Sequence, residues 1–338
     1  MTRVVAGGYA EQGARGLYPL IASNGGIAVE EPLGSIVNVS AGLRVPGTER
    51  WFLVDENASR IVLLDGGDGW RQLAALPSGG KGPCHLALDP AARLLAAANY
   101  ESGAVALFRL DRDNGLPIEP PAVHQERGSG PVADRQDGPH AHWVGFGPEG
   151  RLYSVDLGTD RVLSFDLDGD AGALPTPAVA YWAPPGSGPR QLAFHPTLPV
   201  AFLVSELSST LTVLRLGPDG AFTAERILPT LPANAPRDSL GGAIVLNEDA
   251  TRIHISNRGH DSIASFAIDQ SGAATPLGHV ASGGRSPRFL LLTGQYLLVA
   301  HEQAGGVTML PLDREGRPGP PVARAEVPGA AFLGVLHA

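Results

Sequence analysis

The sequence predicts an all-β fold, a β-propeller, from three observations. Short apolar runs separated by turns repeat along the chain in one register. The 338 residues include 44 glycines and 30 prolines, which suits many tight turns and leaves little room for long helices. An incomplete copy of the repeat stands at each end of the chain. Because propeller blades share their core with their neighbours, we expect residues 1–338 to form one domain.

The repeat is clearest between residues 186 and 216. A Gly-Pro turn leads into an apolar run at residues 192–194, and the His195-Pro196 turn separates this run from a second one at residues 200–204. A polar turn then leads to the alternating run at residues 211–216. This pattern predicts three short strands joined by tight turns.

The same pattern occurs six times in one alignment. The third apolar run of the successive repeats opens at Ile61, Val105, Val162, Leu211, Ile263 and Val307. The steps between these positions are 44, 57, 49, 52 and 44 residues. A period of this size, built only from strands, is typical of propeller blades with loops of variable length.

The two termini together supply one more blade. Residues 3–29 contain only two apolar runs, and residues 331–336 form a single apolar run. Pairing these segments closes the ring and removes the open sheet edges that would otherwise invite aggregation. The sequence therefore predicts a seven-bladed β-propeller closed by strands from both termini.

Composition argues against several classes of partner. The net charge of −9 and the lack of Lys/Arg runs disfavour nucleic-acid binding. Glycines interrupt the apolar residues at the amino terminus, so neither a signal peptide nor a membrane span is expected. The single cysteine, Cys84, excludes an internal disulfide and fits a reducing compartment. We therefore expect a cytoplasmic protein without a membrane partner, and no particular protein partner is indicated.

Antiparallel pairing predicts where residues from different blades meet. The start of the first strand in a blade lies beside the end of the second strand, so both project toward one face near the central channel. First strands place Cys84, His85, His140, His142, Arg190, Gln191 and Arg288 on this face. Second strands end there with Glu56, Tyr100, Leu157, Glu206, Arg258 and Glu302. The opposite strand ends carry ordinary turn residues, so we expect a single functional face.

The charged residues of this face favour an anionic ligand. A guanidinium binds a carboxylate or phosphate with two parallel hydrogen bonds. A glutamate beside an arginine stays ionised, and it could then act as a general base or complete a structural ion pair. Both interpretations remain open for Arg190 and Glu206. The polar segment at residues 126–138 is predicted to be a surface loop that could close over the site.

Other reactive side chains have simpler interpretations. His140 and His142, two apart, would face the same side of a strand, but no Cys, Asp or Glu stands at metal-site spacing, so no metal is predicted. A buried thiol lining the channel is a commoner outcome for Cys84 than a nucleophile. Ser205 and Ser208 lack the GxSxG elbow of a hydrolase nucleophile. The sequence contains no phosphate-binding loop or dinucleotide fingerprint, and no cofactor is predicted.

Five segments resemble the seven-bladed lactonase family, which includes propeller-type 6-phosphogluconolactonases and a fungal carboxymuconate cyclase. They are GPHAHW (138–143), DLGTDRV (156–162), GPRQLAFHP (188–196), SELSSTL (205–211) and SNRGHDSI (256–263). The resemblance implies a site of one histidine, two arginines and one glutamate. The matching residues here are His142, Arg190, Glu206 and Arg258. The chain departs from the family at Gln191, where a histidine is usual, and at His301-Glu302, where an Asn-Gln pair is common.

The resemblance also implies a reaction. The protein would be a metal-independent carboxylic ester hydrolase that opens a sugar lactone, most directly 6-phospho-D-glucono-1,5-lactone in the pentose phosphate pathway. Arg190 and Arg258 would hold the anionic substrate and stabilise the oxyanion, and Glu206 or His142 would accept a proton from the attacking water. The position on the functional face adds five candidate substrate-binding residues: His140, Gln191, Arg288, Tyr100 and Glu302.

Two other functions remain open at this stage. One is the formation or opening of a lactone on a dicarboxylic acid, whose carboxylates the same arginines would bind. The other is a noncatalytic propeller that serves as a protein-binding platform, because the fold alone does not decide function.

Overall fold

The computed structural model describes residues 1–34, 36–112, 114–167, 174–235, 238–303 and 306–337, apart from the side chains of residues 119 and 337. Within these ranges, 28 strands form seven antiparallel sheets of four strands each. No helix in this described part of the chain is long and apolar enough to cross a membrane. The predicted seven-bladed β-propeller is confirmed.

Six blades follow one another along the chain. Blade 1 contains β4 (Gly42–Arg44), β5 (Arg50–Asp55), β6 (Arg60–Asp65) and β7 (Arg71–Pro77). Blade 2 contains β8 (Pro83–Leu88), β9 (Leu94–Asn99), β10 (Ala104–Leu110) and β11 (Pro117–Gln125). Blade 3 contains β12 (Ala141–Phe146), β13 (Leu152–Asp156), β14 (Arg161–Phe165) and β15 (Ala178–Trp182).

The next three blades have the same order. Blade 4 contains β16 (Pro189–Phe194), β17 (Val200–Ser205), β18 (Thr210–Leu216) and β19 (Phe222–Pro229). Blade 5 contains β20 (Leu240–Leu246), β21 (Arg252–Arg258), β22 (Ser262–Ile268) and β23 (Ala274–Ala281). Blade 6 contains β24 (Pro287–Thr293), β25 (Tyr296–His301), β26 (Gly306–Pro311) and β27 (Ala323–Ala325).

Blade 7 joins the two ends of the chain, as predicted. Its first strand is β28 (Ala330–His337), which pairs with β1 (Thr2–Gly8). The blade is completed by β2 (Tyr18–Ser23) and β3 (Gly26–Val29), and the 3-10 helix Ala10–Gln12 lies between β1 and β2. The amino-terminal strand therefore occupies the second place in a sheet that the carboxyl-terminal strand begins.

The middle strands of the blades are buried on both faces. Every residue of β17 is buried, and the apolar layer between blades 4 and 5 contains Phe202, Ile255 and Phe266, each at most 1% exposed. Burial of a side chain of this size contributes about 1.5–3 kcal/mol. The near-continuous apolar runs of the sequence reflect this burial on both faces.

The first strands of six blades share a register shift near their beginning. A shift of this kind, a β-bulge, leaves a residue without a cross-strand partner and changes the direction of its side chain. The pairing skips Cys84, His142, Arg190, Gly242 with Ala243, Arg288 and Ala331. The bulges therefore place one equivalent residue of each of these blades beside the central channel.

Candidate active site

A pocket of about 290 Å³ opens at the end of the channel where the first strands begin, and we call it the mouth. It is lined by residues at the ends of the second strands, including Tyr100, Glu206 and Arg258, and by the bulge residues His142 and Arg288. A smaller cavity of about 120 Å³ continues into the channel. The predicted functional face thus contains a concave site assembled from several blades.

Three arginines surround one buried glutamate at one side of the mouth, and we call this group the arginine cluster. Glu206, which is 2% exposed, accepts a hydrogen bond from Arg190 Nε at 3.1 Å on one carboxylate oxygen, and the same oxygen forms an ion pair with Arg258 Nη2 at 2.5 Å. Arg135 Nη2 donates to the other oxygen at 2.5 Å. With three positive charges and one negative charge, the cluster carries a net charge of +2 at neutral pH.

A turn in the preceding blade fixes the start of the strand that carries Arg190. Asp160 has a left-handed φ of 55°, and its carboxylate accepts hydrogen bonds from the N–H groups of Gly186 at 2.7 Å and Gly188 at 2.8 Å. Gly188 also has a positive φ of 58°, and a Cβ there would lie 2.5 Å from a side-chain carbon of Leu207. Only glycine fits this position without strain, which explains the Gly-Pro-Arg sequence of the first strand.

The electrostatics of the cluster make Glu206 a poor proton acceptor. Burial alone would raise the pKa of Glu206, but Arg258 and Arg190 hold this pKa well below its usual range. Burial and the neighbouring Arg258 lower the pKa of Arg190 to about 10, so its guanidinium remains charged at neutral pH. The carboxylate is therefore fitted to hold the arginines rather than to remove a proton.

His142 is the second candidate proton acceptor in the mouth. Burial, and then the charge of Arg190, lower the pKa of the His142 imidazole well below 6.5, so the ring is neutral at pH 7. Among the described residues neither ring nitrogen has a hydrogen-bond partner, and the ring contacts the edge of Tyr100 at a centroid distance of 5.5 Å. The lowered pKa makes the imidazole a weak base, as it does the Glu206 carboxylate. The two groups differ in that both Glu206 oxygens are bonded to arginines, whereas the His142 ring nitrogens remain available to an attacking water.

The opposite side of the mouth is formed by blades 6, 7 and 1, and its residues form a second group that we call the acidic wall. Arg288 lies 3.2 Å from Glu302, 4.0 Å from Glu56 and 5.3 Å from the centre of the Tyr9 ring. The Tyr9 hydroxyl donates to Glu56 at 2.8 Å, and the Ser40 hydroxyl donates to the same carboxylate. Burial alone would lower the pKa of Arg288, but Tyr9, Glu302 and Glu56 raise it above its usual value. The single arginine of this wall is thus neutralised within the wall.

The structure separates the predicted substrate-binding residues into two sets. Tyr100, Arg288 and Glu302 line the mouth, whereas His140 and Gln191 do not. Gln191 lies in the cavity below, where its side-chain oxygen accepts a hydrogen bond from Ile244 N at 3.3 Å. Leu157, expected on the same face, is completely buried outside the mouth.

The expectation that His140 and His142 share one face of a regular strand is wrong. Strand β12 begins at Ala141, so His140 lies outside it, and the register shifts around His142. The His140 ring stacks on Tyr100 at 4.6 Å, and its Nε2 lies 3.3 Å from Asp137. His140 therefore supports the wall of the mouth from behind.

Four mouth residues were missed from the sequence: Tyr9, Glu11, Asn57 and Arg135. Tyr9 follows β1 and is equivalent to Glu56 and Glu206, but the terminal blade was not aligned with the others. Arg135 lies in the segment 126–138, which was predicted as a surface loop that could close over the site but without a named site residue. The segment is anchored by Gln136, which is fully buried and donates from Nε2 to the carbonyl of Leu157 at 2.8 Å. It packs against the site and carries Arg135 into the mouth.

The remaining reactive groups have structural surroundings. Burial raises the pKa of the Cys84 thiol above its usual value, and Sγ lies 3.4 Å from the carbonyl oxygen of His142. Burial lowers the pKa of His85 in the channel to about 4. Across the described ranges, no group of three or more His, Cys, Asp or Glu residues is placed to hold a metal ion. The chemistry of the mouth thus centres on His142 and the arginine cluster.

Known proteins share this architecture and part of this sequence. The chain matches the family model described as "Lactonase, 7-bladed beta-propeller" over residues 3–334. A 6-phosphogluconolactonase of Bacillus subtilis is 32% identical over 269 residues, which cover 78% of this chain and 73% of the relative.

Solved structures agree along almost the whole chain. A periplasmic gluconolactonase of Pseudomonas aeruginosa has a TM-score of 0.89 and 25% identity, with 99% of this chain and 98% of that chain covered. A putative 6-phosphogluconolactonase of Bacteroides fragilis has a TM-score of 0.87 and 25% identity, with 99% and 97% covered. Because the family model spans nearly the whole chain, the protein belongs to the seven-bladed β-propeller lactonase family.

Proposed function

We propose that the protein hydrolyses an anionic sugar lactone, most directly 6-phospho-D-glucono-1,5-lactone to 6-phosphogluconate, and that His142 is the general base. The family and the 6-phosphogluconolactonase relative support a lactone hydrolase acting on sugar lactones in general. The observation that carries the more specific proposal is the arginine cluster, whose net positive charge stands beside a neutral imidazole in a small pocket.

In the proposed reaction, Arg190 and Arg258 stabilise the oxyanion. Arg190 uses Nε for Glu206 and Nη1 for the carbonyl of Gly242 at 2.9 Å, so Nη2 has no hydrogen-bond partner among the described residues. Arg258 Nη2 forms the ion pair with Glu206 and donates to the carbonyl of Gly241 at 3.0 Å. Its Nη1 has no hydrogen-bond partner among the described residues. In other enzymes, one well-placed donor of this kind lowers the barrier by about 3–4 kcal/mol.

The proposed reaction needs one proton acceptor that later becomes a donor. His142 accepts a proton from water while the water oxygen attacks the lactone carbonyl carbon, and the carbonyl oxygen becomes an oxyanion held by the two guanidinium groups. When the oxyanion collapses, the bond between the carbonyl carbon and the ring oxygen breaks. The imidazolium returns its proton to that ring oxygen, so the products are a carboxylate with its released proton and a hydroxyl group.

The first experiment compares lactone opening by the purified protein with the spontaneous rate, in the presence of a chelator. The test variant is Arg190→Ala, and the control is Arg71→Ala, which removes an exposed arginine outside the mouth. We expect acceleration that survives the chelator, is retained in the control and is lost in Arg190→Ala. Folded wild-type protein that does not accelerate the reaction would contradict the proposed function, and full activity of Arg190→Ala would contradict the proposed site.

A lactone of a dicarboxylic acid is the second candidate substrate, because three arginines can also bind two carboxylates. It is less well supported, since Glu56 and Glu302 would repel a carboxylate on the far side of the mouth. Comparing turnover of a phosphorylated sugar lactone and a muconate-derived lactone by the same preparation would separate the two. The convergence of charged residues in one pocket favours either enzyme over a noncatalytic protein-binding platform.

A cytoplasmic location is part of the proposal and rests on the single cysteine. One of the similar structures is of a protein named as periplasmic, so the fold alone does not indicate a cytoplasmic location. Fractionation of the native host, with the protein followed by antibody, tests the location directly.

A further inference from the structure

We propose that Arg135 binds the phosphate group of the substrate and thereby sets which end of the lactone enters the mouth first; this inference rests on the proposed lactonase function. Arg135 stands outside the four residues that the family resemblance implies. It comes from the segment between blades 2 and 3 rather than from a propeller strand.

The depth of the three arginines gives them different tasks. The side chains of Arg190 and Arg258 are 6% and 12% exposed, whereas that of Arg135 is 34% exposed. The two deep arginines flank Glu206 near His142, where the carbonyl must lie for attack by water. Arg135 stands at the rim, where the far end of an elongated substrate remains.

Arg135 is held in position and still has donors to offer. Its Nη2 contacts Glu206 and lies 3.4 Å from the Tyr100 hydroxyl, whereas Nε and Nη1 have no hydrogen-bond partner among the described residues. The buried side chain of Gln136 holds the segment in place with two hydrogen bonds. Its Oε1 accepts a hydrogen bond from Val132 N at 3.2 Å, and its Nε2 donates one to the carbonyl of Leu157. A preorganised guanidinium with two free donor groups is suited to phosphate oxygens.

The acidic wall excludes the alternative orientation. Glu56 and Glu302 neutralise Arg288, so this wall has a net charge of −1 and disfavours a phosphate. Carboxylates accept hydrogen bonds from the hydroxyl groups of a sugar. The charge distribution therefore directs phosphate toward Arg135 and the uncharged hydroxyls toward the acidic wall.

The test compares two substrates that differ only in the phosphate, 6-phospho-D-glucono-1,5-lactone and D-glucono-1,5-lactone, with wild type, Arg135→Ala and Arg127→Ala. Arg127 is a matched control because it is an exposed arginine of the same segment and does not line the mouth. For Arg135→Ala we expect KM for the phosphorylated lactone to rise about 10–100-fold, as loss of a charge-assisted hydrogen bond predicts. Both lactones should be opened normally by Arg127→Ala.

Arg135 also bonds Glu206, so its removal could slow the reaction without involving phosphate. Turnover of the uncharged lactone measures this indirect effect, because its opening uses the deep arginines and His142 but no phosphate contact. The ratio of kcat/KM for the phosphorylated lactone to kcat/KM for the uncharged lactone should therefore fall about 10-fold or more in Arg135→Ala. Equal losses on both lactones, or no loss on either, would overturn the assignment while leaving the lactonase function intact. Wild-type protein that opens neither lactone would instead refute the proposed function.

A binding measurement gives a readout that does not depend on turnover. Calorimetric titration should show that wild type binds 6-phosphogluconate more tightly than gluconate, and that Arg135→Ala removes most of this difference. Arg135→Lys should restore part of it, because an ammonium keeps the charge but cannot bind in a two-pronged geometry. An unchanged preference in Arg135→Ala would place the phosphate elsewhere.

Discussion

His142 and Glu206 are both candidate general bases. Substitutions can distinguish them because Glu206 also pairs with three arginines, whereas His142 forms no ion pair with any described residue. His142 makes no side-chain hydrogen bond among the described residues, so His142→Gln removes little beyond a proton acceptor and a contact with Tyr100. We expect kcat to fall about 10²–10⁴-fold, the usual contribution of a general base. The free energy of unfolding should change by about 1 kcal/mol or less.

Glu206→Gln should have a different signature. The carboxylate is 2% exposed and is the shared counter-ion of three arginines, so the variant leaves buried positive charges without compensation. Breaking a buried ion pair in this way costs about 3–5 kcal/mol. At about 2.1 cal/mol/K per residue, the unfolding entropy of 338 residues is about 0.7 kcal/mol/K, so Tm should fall by about 4–7 °C. Activity should fall as well, because Arg190 and Arg258 lose the group that positions them.

The assay pairs initial rates of lactone opening, corrected for spontaneous hydrolysis, with thermal unfolding of the same preparations. The expected result is loss of activity without loss of stability in His142→Gln, and loss of both in Glu206→Gln. If His142→Gln keeps more than about a tenth of the wild-type kcat, His142 is not the base. If Glu206→Gln melts like wild type but is inactive, the carboxylate would have a direct role in proton transfer.

Two further predictions concern pH. Because burial holds the pKa of His142 well below 6.5, the imidazole stays neutral as the pH falls. We therefore expect kcat/KM to stay level from pH 8 to below 6.5. A decline in kcat/KM centred at pH 6.5 would contradict this expectation. Burial also lowers the pKa values of His85, His254 and His301 to about 4, against 6.5 in the unfolded chain. Between pH 4 and 6.5 the unfolded chain therefore binds more protons than the folded protein. Urea unfolding should show that the free energy of unfolding decreases from pH 6.5 toward pH 4, by up to about 1.4 kcal/mol per pH unit for each histidine. A free energy of unfolding that does not change with pH would show that these rings are not buried in their neutral form.

Much of the fold could be predicted because burial leaves a regular mark on the sequence. The second residues of the third strands, such as Ile61, Leu211 and Val307, are completely buried in the apolar layers between blades. Their spacing revealed the blades, and strand direction then placed Glu206 and Arg258 at one end of the channel. These inferences need only local patterns and antiparallel geometry.

Other features depended on contacts that no local pattern records. The direction of His142 is set by a bulge, and a shift of one position changes the side on which a residue lies. Arg135 reaches the mouth because the neighbouring Gln136 is buried and donates a hydrogen bond to the carbonyl of Leu157. Gln136 lies outside the strand repeat of blade 2, so the repeat pattern does not predict this contact. Tyr9 was hidden for a third reason, since its blade is divided between the chain ends.

The bulges suggest how one propeller can vary its chemistry while its blades stay unchanged. Each shifted register leaves a residue facing the channel without a cross-strand partner, so its side chain is not fixed by sheet packing. The same position is a histidine in blade 3, arginines in blades 4 and 6, and a glycine in blade 5, where a Cβ would lie 2.3 Å from Ser256 Oγ. Gly242 instead offers its carbonyl oxygen to Arg190. Equivalent positions can therefore contribute a base, a cation or a backbone acceptor, and it is this set of choices, rather than the propeller itself, that defines the site.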